Sequence, residues 1–308
     1  FVFNVFRQTL QAMGPTRPII AAALVANLVN ALANWLLIEG RAGFPALGVE
    51  GAGYATAISM WVMCIVLGWL AWPLLRPTLR PWRAAVWDAA PMRRMLRIGA
   101  PIGTQWFFES FAFGLTALFM GWMGTAALAG HEIALSMAAM TFMVPLGISG
   151  AAAAVVGRAI GRGDLSSARS DAVAAIVCGV GFMCISAIVF ILAPEWLATR
   201  YTTESATVAV AVALIPLAGW FQIFDGLQAV TSGVLRGVGD TRIPAVLHMV
   251  AFWGIGVPLG YVLGFHTGYR ERGLWIGLVA GLAAAALLQS ARVWMRLRAP
   301  IRRVVVDH

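Results

Sequence analysis

Apolar residues in this chain come in long runs of about 20 to 30, divided by short stretches that gather most of the arginines, glycines and prolines. A helix needs about 20 apolar residues to cross the hydrocarbon of a bilayer. That window predicts eight complete spans, at about 17–38, 51–75, 98–122, 126–155, 172–193, 206–232, 244–265 and 273–294, and residues 1–13 read as the tail of a ninth. The expected fold class is therefore all-α, a polytopic membrane helix bundle of about eight full transmembrane helices plus a partial one.

Composition agrees, with 60% hydrophobic and 11% charged residues against roughly 25% charged in soluble domains. A net charge of +9 would point to nucleic acid in a soluble protein, but the placement of the basic residues accounts for it here. There is no lysine, and the arginines fall on alternate loops. One side carries Arg7, Arg17, the group from Arg76 through Arg97, then Arg158, Arg162, Arg169, Arg236, Arg242 and the group from Arg292 through Arg303. The other has only Arg41, Arg200, Arg270 and Arg272. The positive-inside rule puts the first side, and with it the C-terminus, in the cytoplasm. The expected location is the cytoplasmic (inner) membrane, with the lipid bilayer and not nucleic acid as partner. Cys64, Cys178 and Cys184 all lie within spans, giving no disulfide framework or metal cluster; they read as small buried apolar residues.

Of the thirteen acidic residues, only Glu109 and Asp225 lie at span centres. A carboxylate there costs several kcal/mol to insert unless it faces a cavity, pairs with another group or takes up a proton. Two such acids point to cation binding coupled to transport. Helical spacing puts Gln222, Asp225, Gln228 and Ser232 at steps of three or four on one helix, and Gln105, Glu109 and Thr116 similarly on another. Each stripe is suited to offering oxygens to a hard cation or to holding a wet cavity. Helix–helix hydrogen bonding is the alternative reading of the Gln and Ser side chains, and the spacing does not decide between the two.

Gly14-Pro15-Thr16-Arg17-Pro18 leads into the first full span and Gly239-Asp240-Thr241-Arg242-Ile243-Pro244 into the seventh. Each copy starts on the arginine-rich side, and each outward span ends at a glycine-rich re-entry, Gly48-Val49-Glu50-Gly51 and Arg272-Gly273-Leu274-Trp275. The copies share one orientation, which describes parallel repeats. The second copy owns six spans; the first owns two and a stub, so about four further spans are expected upstream. The expected divisions are 1–75 as the end of the first lobe, 76–97 as a cytoplasmic linker, 98–296 as a six-helix lobe and 297–308 as a cytoplasmic tail.

Several stretches carry a family resemblance. They are Phe221-Gln222-Ile223-Phe224-Asp225-Gly226-Leu227-Gln228 continuing through Gly233-Val234-Leu235-Arg236-Gly237-Val238-Gly239-Asp240-Thr241, Gly99-Ala100-Pro101 with Glu109, Ala129-Gly130-His131-Glu132-Ile133-Ala134, Val156-Gly157-Arg158 through Gly163-Asp164, and Gly273-Leu274-Trp275-Ile276-Gly277. In order and spacing the chain resembles the MATE family of multidrug and toxin extrusion transporters, in its NorM-type branch, and is similar to the last two-thirds of such a protein. The resemblance implies twelve helices in two six-helix lobes. It also implies that Glu109 and Asp225 occupy the coupling acids of the family's seventh and tenth helices. The branch often carries a tyrosine one turn before the Asp225 position; Phe221 here has no oxygen to offer, and the coupling ion stays open between H⁺ and Na⁺.

The function expected is a cation-coupled antiporter exporting organic cations, drugs or other amphipathic small molecules. It would be a monomer without cofactor, with Glu109 and Asp225 coupling the cation and Gln105, Thr116, Gln222, Gln228 and Ser232 supporting the site. No metal is expected beyond Na⁺ at the two acids, and no nucleotide-binding motif is present. A flippase of a lipid-linked sugar on the same two-lobed fold is the alternative, and it would need several cations lining the cavity. An enzyme is not expected, because no metal-binding or nucleophilic constellation occurs. His248, near an inner helix end, reads as a satisfied interfacial histidine. The arginine pattern predicts that single cysteines introduced at Ala84 and Thr202 label from opposite faces of the membrane. Reaction of both with an impermeant external reagent would show the topology to be wrong.

Overall fold

The computed structural model describes residues 2–43, 45–79 and 89–298. Every regular element among them is helical, and the chain divides into two compact units, Phe1–Ala89 and Ala90–His308.

The first unit holds α1 (Val2–Met13), α2 (Arg17–Glu39) and α3 (Gly48–Leu79). Pro18 opens α2 within its first two positions, where the missing N–H costs no hydrogen bond, and Gly40 ends it in the left-handed region at φ 67°. Leu10, Ala22, Leu67, Ala71 and Leu75 form its core.

The second unit holds α4 (Ala89–Met123), α5 (Thr125–Arg162), α6 (Leu165–Leu192), the short α7 (Pro194–Ala198), α8 (Ser205–Gly237), α9 (Arg242–Met249), a π-helical segment Val250–Gly256, α10 (Val257–Phe265) and α11 (Arg270–Arg298). α8 is its axis: α5, α6 and α11 pack around it, and from Gln228 to Leu235 every residue is buried. Small side chains allow this approach. A Cβ on Gly233, for example, would collide with the Ser149 backbone of α5. The α5–α6 turn is built by Gly163, at φ 78°, and by Asp164, whose side chain caps α6 by accepting the Ser167 N–H. The Ser167 hydrogen bonds hold the Asp164 carboxyl below its usual range. That cap is therefore fully engaged above the ordinary carboxylate range and is lost as pH falls through the lowered value.

The two repeat copies build the same local structure. Gly14 and Gly239 both take positive φ, and Thr16 and Thr241 are the N-cap residues of α2 and α9. Gly51 of α3 lies against the Leu37 carbonyl of α2, and Gly273 of α11 against the Leu263 carbonyl of α10. The repeated glycine thus serves the same close helix crossing in each copy.

Seven helical stretches among the described residues are long and apolar enough to cross a membrane. The expected span 98–122 lies inside α4, 35 residues long, which is not among the seven: Gln105 and Glu109 dilute its apolar character. The expected span 244–265 is one membrane-length stretch from Arg242 to Phe265, but it is interrupted by the π segment. Pro258 explains part of the interruption, since it has no N–H to bond back into the preceding turn. Pro216 lies inside α8, which stays a single helix. α3 continues to Leu79 and α4 begins at Ala89, so of the expected linker 76–97 the residues 80–88, Ala84 included, lie outside the described residues. Residues 299–308 of the expected tail do as well. The three cysteines are free, but none is fully buried, and Cys178 is exposed. The expectation of buried cysteines therefore fails at Cys178, which lies on the exposed face of α6.

α10 and α11 touch backbone to backbone: a Cβ on Gly277 would overlap the Gly260 Cα, while one on Gly103 of α4 would meet nothing within 4 Å. Gly277→Ala is expected to lower stability by about 1–3 kcal/mol, and Gly103→Ala to leave it unchanged or slightly raised. Thermal unfolding in detergent measures both, and equal midpoints for the two variants would contradict this packing.

Candidate functional site

The site grows from the two acids that α4 and α8 carry into the interior of the second unit. The Glu109 side chain is 12% exposed and Asp225 is 7% exposed. Both line one cavity of about 350 Å³, together with Trp106, Ser110 and Phe113 of α4, Phe221 of α8, and Leu135, Ala138, Ala139 and Phe142 of α5. Aromatic packing holds its outer wall, with Phe113 edge-on to Phe221 at 5.9 Å and to Phe252 at 6.2 Å. Two like charges facing an apolar-walled space repel and are poorly solvated, so such a space favours an entering cation or proton.

Glu109 also faces a histidine that the sequence placed at the membrane interface. His248 of α9, 1% exposed, places its Nε2 3.5 Å from the Glu109 Oε2. Its Nδ1 lies 3.2 Å from the Gln228 Nε2. Gln228 in turn donates to the Ser232 hydroxyl at 3.4 Å, and Ser232 donates to the Gln289 Oε1 of α11 at 2.7 Å. A buried polar line therefore runs from the carboxylate through the histidine to α11. The expectation that His248 is an interfacial histidine is corrected by its burial against Glu109. No sequence period could show this contact, because it is made across helices, but a histidine six residues after the polar Gly-Asp-Thr-Arg turn was the available signal.

A second, smaller space of about 20 Å³ adjoins Glu109 and is lined by Gln105, Gln228, Ser232, Ser149 and Arg236, among others. Arg236 donates to the Ser149 hydroxyl there at 2.8 Å. Gln105, Gln228 and Ser232 thus gather on one side of Glu109, and Asp225 lies on the other. Gln222 and Thr116 line neither space. The Gln222 Oε1 accepts from the Thr141 and Ser186 hydroxyls, and the Thr116 hydroxyl donates to the Ala112 carbonyl of its own helix at 2.9 Å. Helix geometry explains the divergence: six residues on an α-helix turn Gln222 and Gln228 about 120° apart, toward different neighbours. His131 is also fully buried, taking the Trp275 indole N–H on its Nδ1 at 3.2 Å, which ties α5 to α11 away from the acids. Among the described residues no group of three or more His, Cys, Asp or Glu could hold a metal ion.

Comparison with known proteins follows the same lines. The family model described as MatE matches residues 101–262. The chain is 41% identical to the Multidrug resistance protein NorM of Burkholderia vietnamiensis over 95% of its own length and 64% of that relative's. It is 34% identical to the Multidrug resistance protein PmpM of Pseudomonas aeruginosa over 100% of its own length and 65% of that relative's. It thus spans less than two thirds of the length of these relatives. In fold it matches the crystal structure of the eukaryotic MATE transporter AtDTX14 with a TM-score of 0.84 at 23% identity, covering 96% of this chain and 67% of that one. An outward-facing multidrug resistance MATE family transporter of the MOP superfamily matches with a TM-score of 0.83 at 21% identity, covering 97% of this chain and 66% of that one.

Proposed function

The chain belongs to the MatE family, and from that membership we propose that it works in a cation-coupled antiporter exporting drugs or other amphipathic organic cations across the cytoplasmic membrane. The carrying observation is the single cavity shared by Glu109 and Asp225. The names of the relatives, which describe multidrug resistance proteins, support export as the direction and small molecules as the cargo. The arginine-rich loops support a cytoplasmic C-terminus.

Exchange follows from charge. Two carboxylates facing one largely apolar-lined space are unfavourable when both are charged and favourable when one positive charge enters. A coupling cation and a substrate cation then compete for the same negative charge, so occupation by one drives release of the other. Coupling requires only that the two loaded forms prefer different conformations. The aromatic walls, Trp106, Phe113, Phe142 and Phe221, suit the apolar part of such a substrate.

For the coupling ion we take the proton over Na⁺. A hard metal cation wants a shell of oxygens, and the cavity lining offers oxygen-bearing side chains only at Glu109, Ser110 and Asp225. A proton needs one carboxylate. The flippase alternative is not favoured, because no arginine lines this cavity. No cofactor enters the proposal, and a monomer is sufficient for it, since both acids come from one chain.

Everted vesicles carrying the full-length protein test this reading. Collapse of the proton gradient is expected to stop drug accumulation, and collapse of the Na⁺ gradient to leave it intact. Asp225→Asn, which keeps the shape but not the charge, should bring accumulation to the level of vesicles without transporter, with normal membrane insertion. Full coupled export by the Glu109→Gln/Asp225→Asn double variant would overturn the assignment.

A further inference from the structure

The π-helical segment between α9 and α10 has a consequence for Glu109. A π turn closes hydrogen bonds from i to i+5, so it returns residues five apart toward one face; in an α-helix five residues turn about 500°, leaving such residues about 140° apart. His248 and Trp253 are five apart, on the two sides of the point where the π segment Val250–Gly256 begins. Both reach α4. His248 faces Glu109, and Trp253 stacks on Phe111 with centroids 5.4 Å apart and rings 15° from parallel, meets Phe108 edge-on at 6.0 Å, and donates its indole N–H to the Phe108 carbonyl at 3.3 Å. Phe252, inside the π segment, lies flat on the His248 ring at 4.6 Å. The imidazole is thus fixed by its neighbours on one element while its partner acid is fixed on another.

With the Gln228 amide nitrogen facing His248, the hydrogen-bond chain sets the tautomer. The Ser232 hydroxyl hydrogen is used on Gln289, so Ser232 accepts from the Gln228 amide. The amide's other hydrogen points to the His248 Nδ1, which has to accept it. The ring proton then sits on Nε2, facing the Glu109 Oε2 across 3.5 Å, longer than a full hydrogen bond. Nε2 has no other hydrogen-bond partner. A buried donor aimed at a carboxylate and stopped just short of it is a costly arrangement for a group with only a packing role.

We propose that His248 is a positioning residue for Glu109: its Nε2–H, with the tautomer set by Gln228 and Ser232, holds the Glu109 carboxylate when that group is charged and releases it when the group is neutralised. The proposal rests on the reading of Glu109 as a coupling acid. The ionisable groups on the surrounding elements are consistent with it. α4 brings Glu109. α8 brings Asp225, across the adjoining cavity, and Arg236, which is engaged with Ser149. α11 brings the neutral Gln289, and its Arg292 is paired with Asp240 at 2.8 Å. Arg242 starts α9 itself, near its inner end.

The test is the pH profile of drug export in everted vesicles with the full-length protein, comparing wild type, His248→Ala, His248→Gln and Glu109→Gln. Loss of a donor to the charged form favours the protonated carboxyl, so His248→Ala is expected to move the half-maximal point about one pH unit toward alkaline. His248→Gln, which restores a neutral N–H, should move it back toward wild type. A wild-type profile in His248→Ala beside an inactive Glu109→Gln would overturn this role and leave the coupling assignment standing; coupled export by Glu109→Gln would instead remove the coupling assignment itself. A second measurement applies even where the alanine variant inserts poorly. Nitrogen NMR of the full-length protein labelled at histidine should show His248 as the Nε2–H tautomer, and an Nδ1–H tautomer would overturn the proposal.

Discussion

A carboxylate in the hydrocarbon of a bilayer has to be enclosed by protein, water or a counter-charge, and much of the second unit is arranged around meeting that demand twice. α8 can carry Asp225 because it is surrounded: α5, α6 and α11 pack around it, with glycines such as Gly233 removing the side chains that would keep them apart. α4 carries Glu109 on the face turned to α5, α8 and α9, while Phe107 and Phe111 beside it remain exposed. The break between α9 and α10 belongs to the same demand, because it lets His248 and Trp253 address α4 together.

This arrangement gives the two acids different surroundings. Asp225 meets only the shared cavity and its apolar walls, whereas Glu109 stands between that cavity and the polar line through His248, Gln228, Ser232 and Gln289. Both carboxylates face that one cavity, so a proton or cation taken up at one changes the field at the other. In the proposed antiporter this is where binding energy becomes conformational preference, since neutralising a buried charge alters what its neighbours gain by facing it.

Much of this was legible in the sequence, for identifiable reasons. Spans show because hydrocarbon thickness sets a length and apolarity that few other constraints mimic. Glu109 and Asp225 show because an acid at that depth is rare. The repeat was readable from Gly14 to Pro18 and Gly239 to Pro244, and both copies fold alike. Three features were not legible. His248 lies close enough to a helix end to pass for an interfacial residue, and its meaning depends on a π turn that shifts the register by one residue, which a search for period 3.6 does not see. Gln222 shares a stripe with Asp225 in one dimension but turns toward Thr141 and Ser186. α4 looked like an ordinary span, yet the polar residues that make it interesting also make it the least apolar of the expected crossings.

That the two carboxylates form one site is the claim on which the rest stands. Infrared titration of the purified full-length protein reads it directly, following the carboxyl bands of wild type, Glu109→Gln and Asp225→Asn with pH. One shared site predicts that neutralising either acid displaces the titration of the other. If the remaining acid titrates in each single variant as it does in the wild type, the two are independent, and the account of a common cavity is wrong.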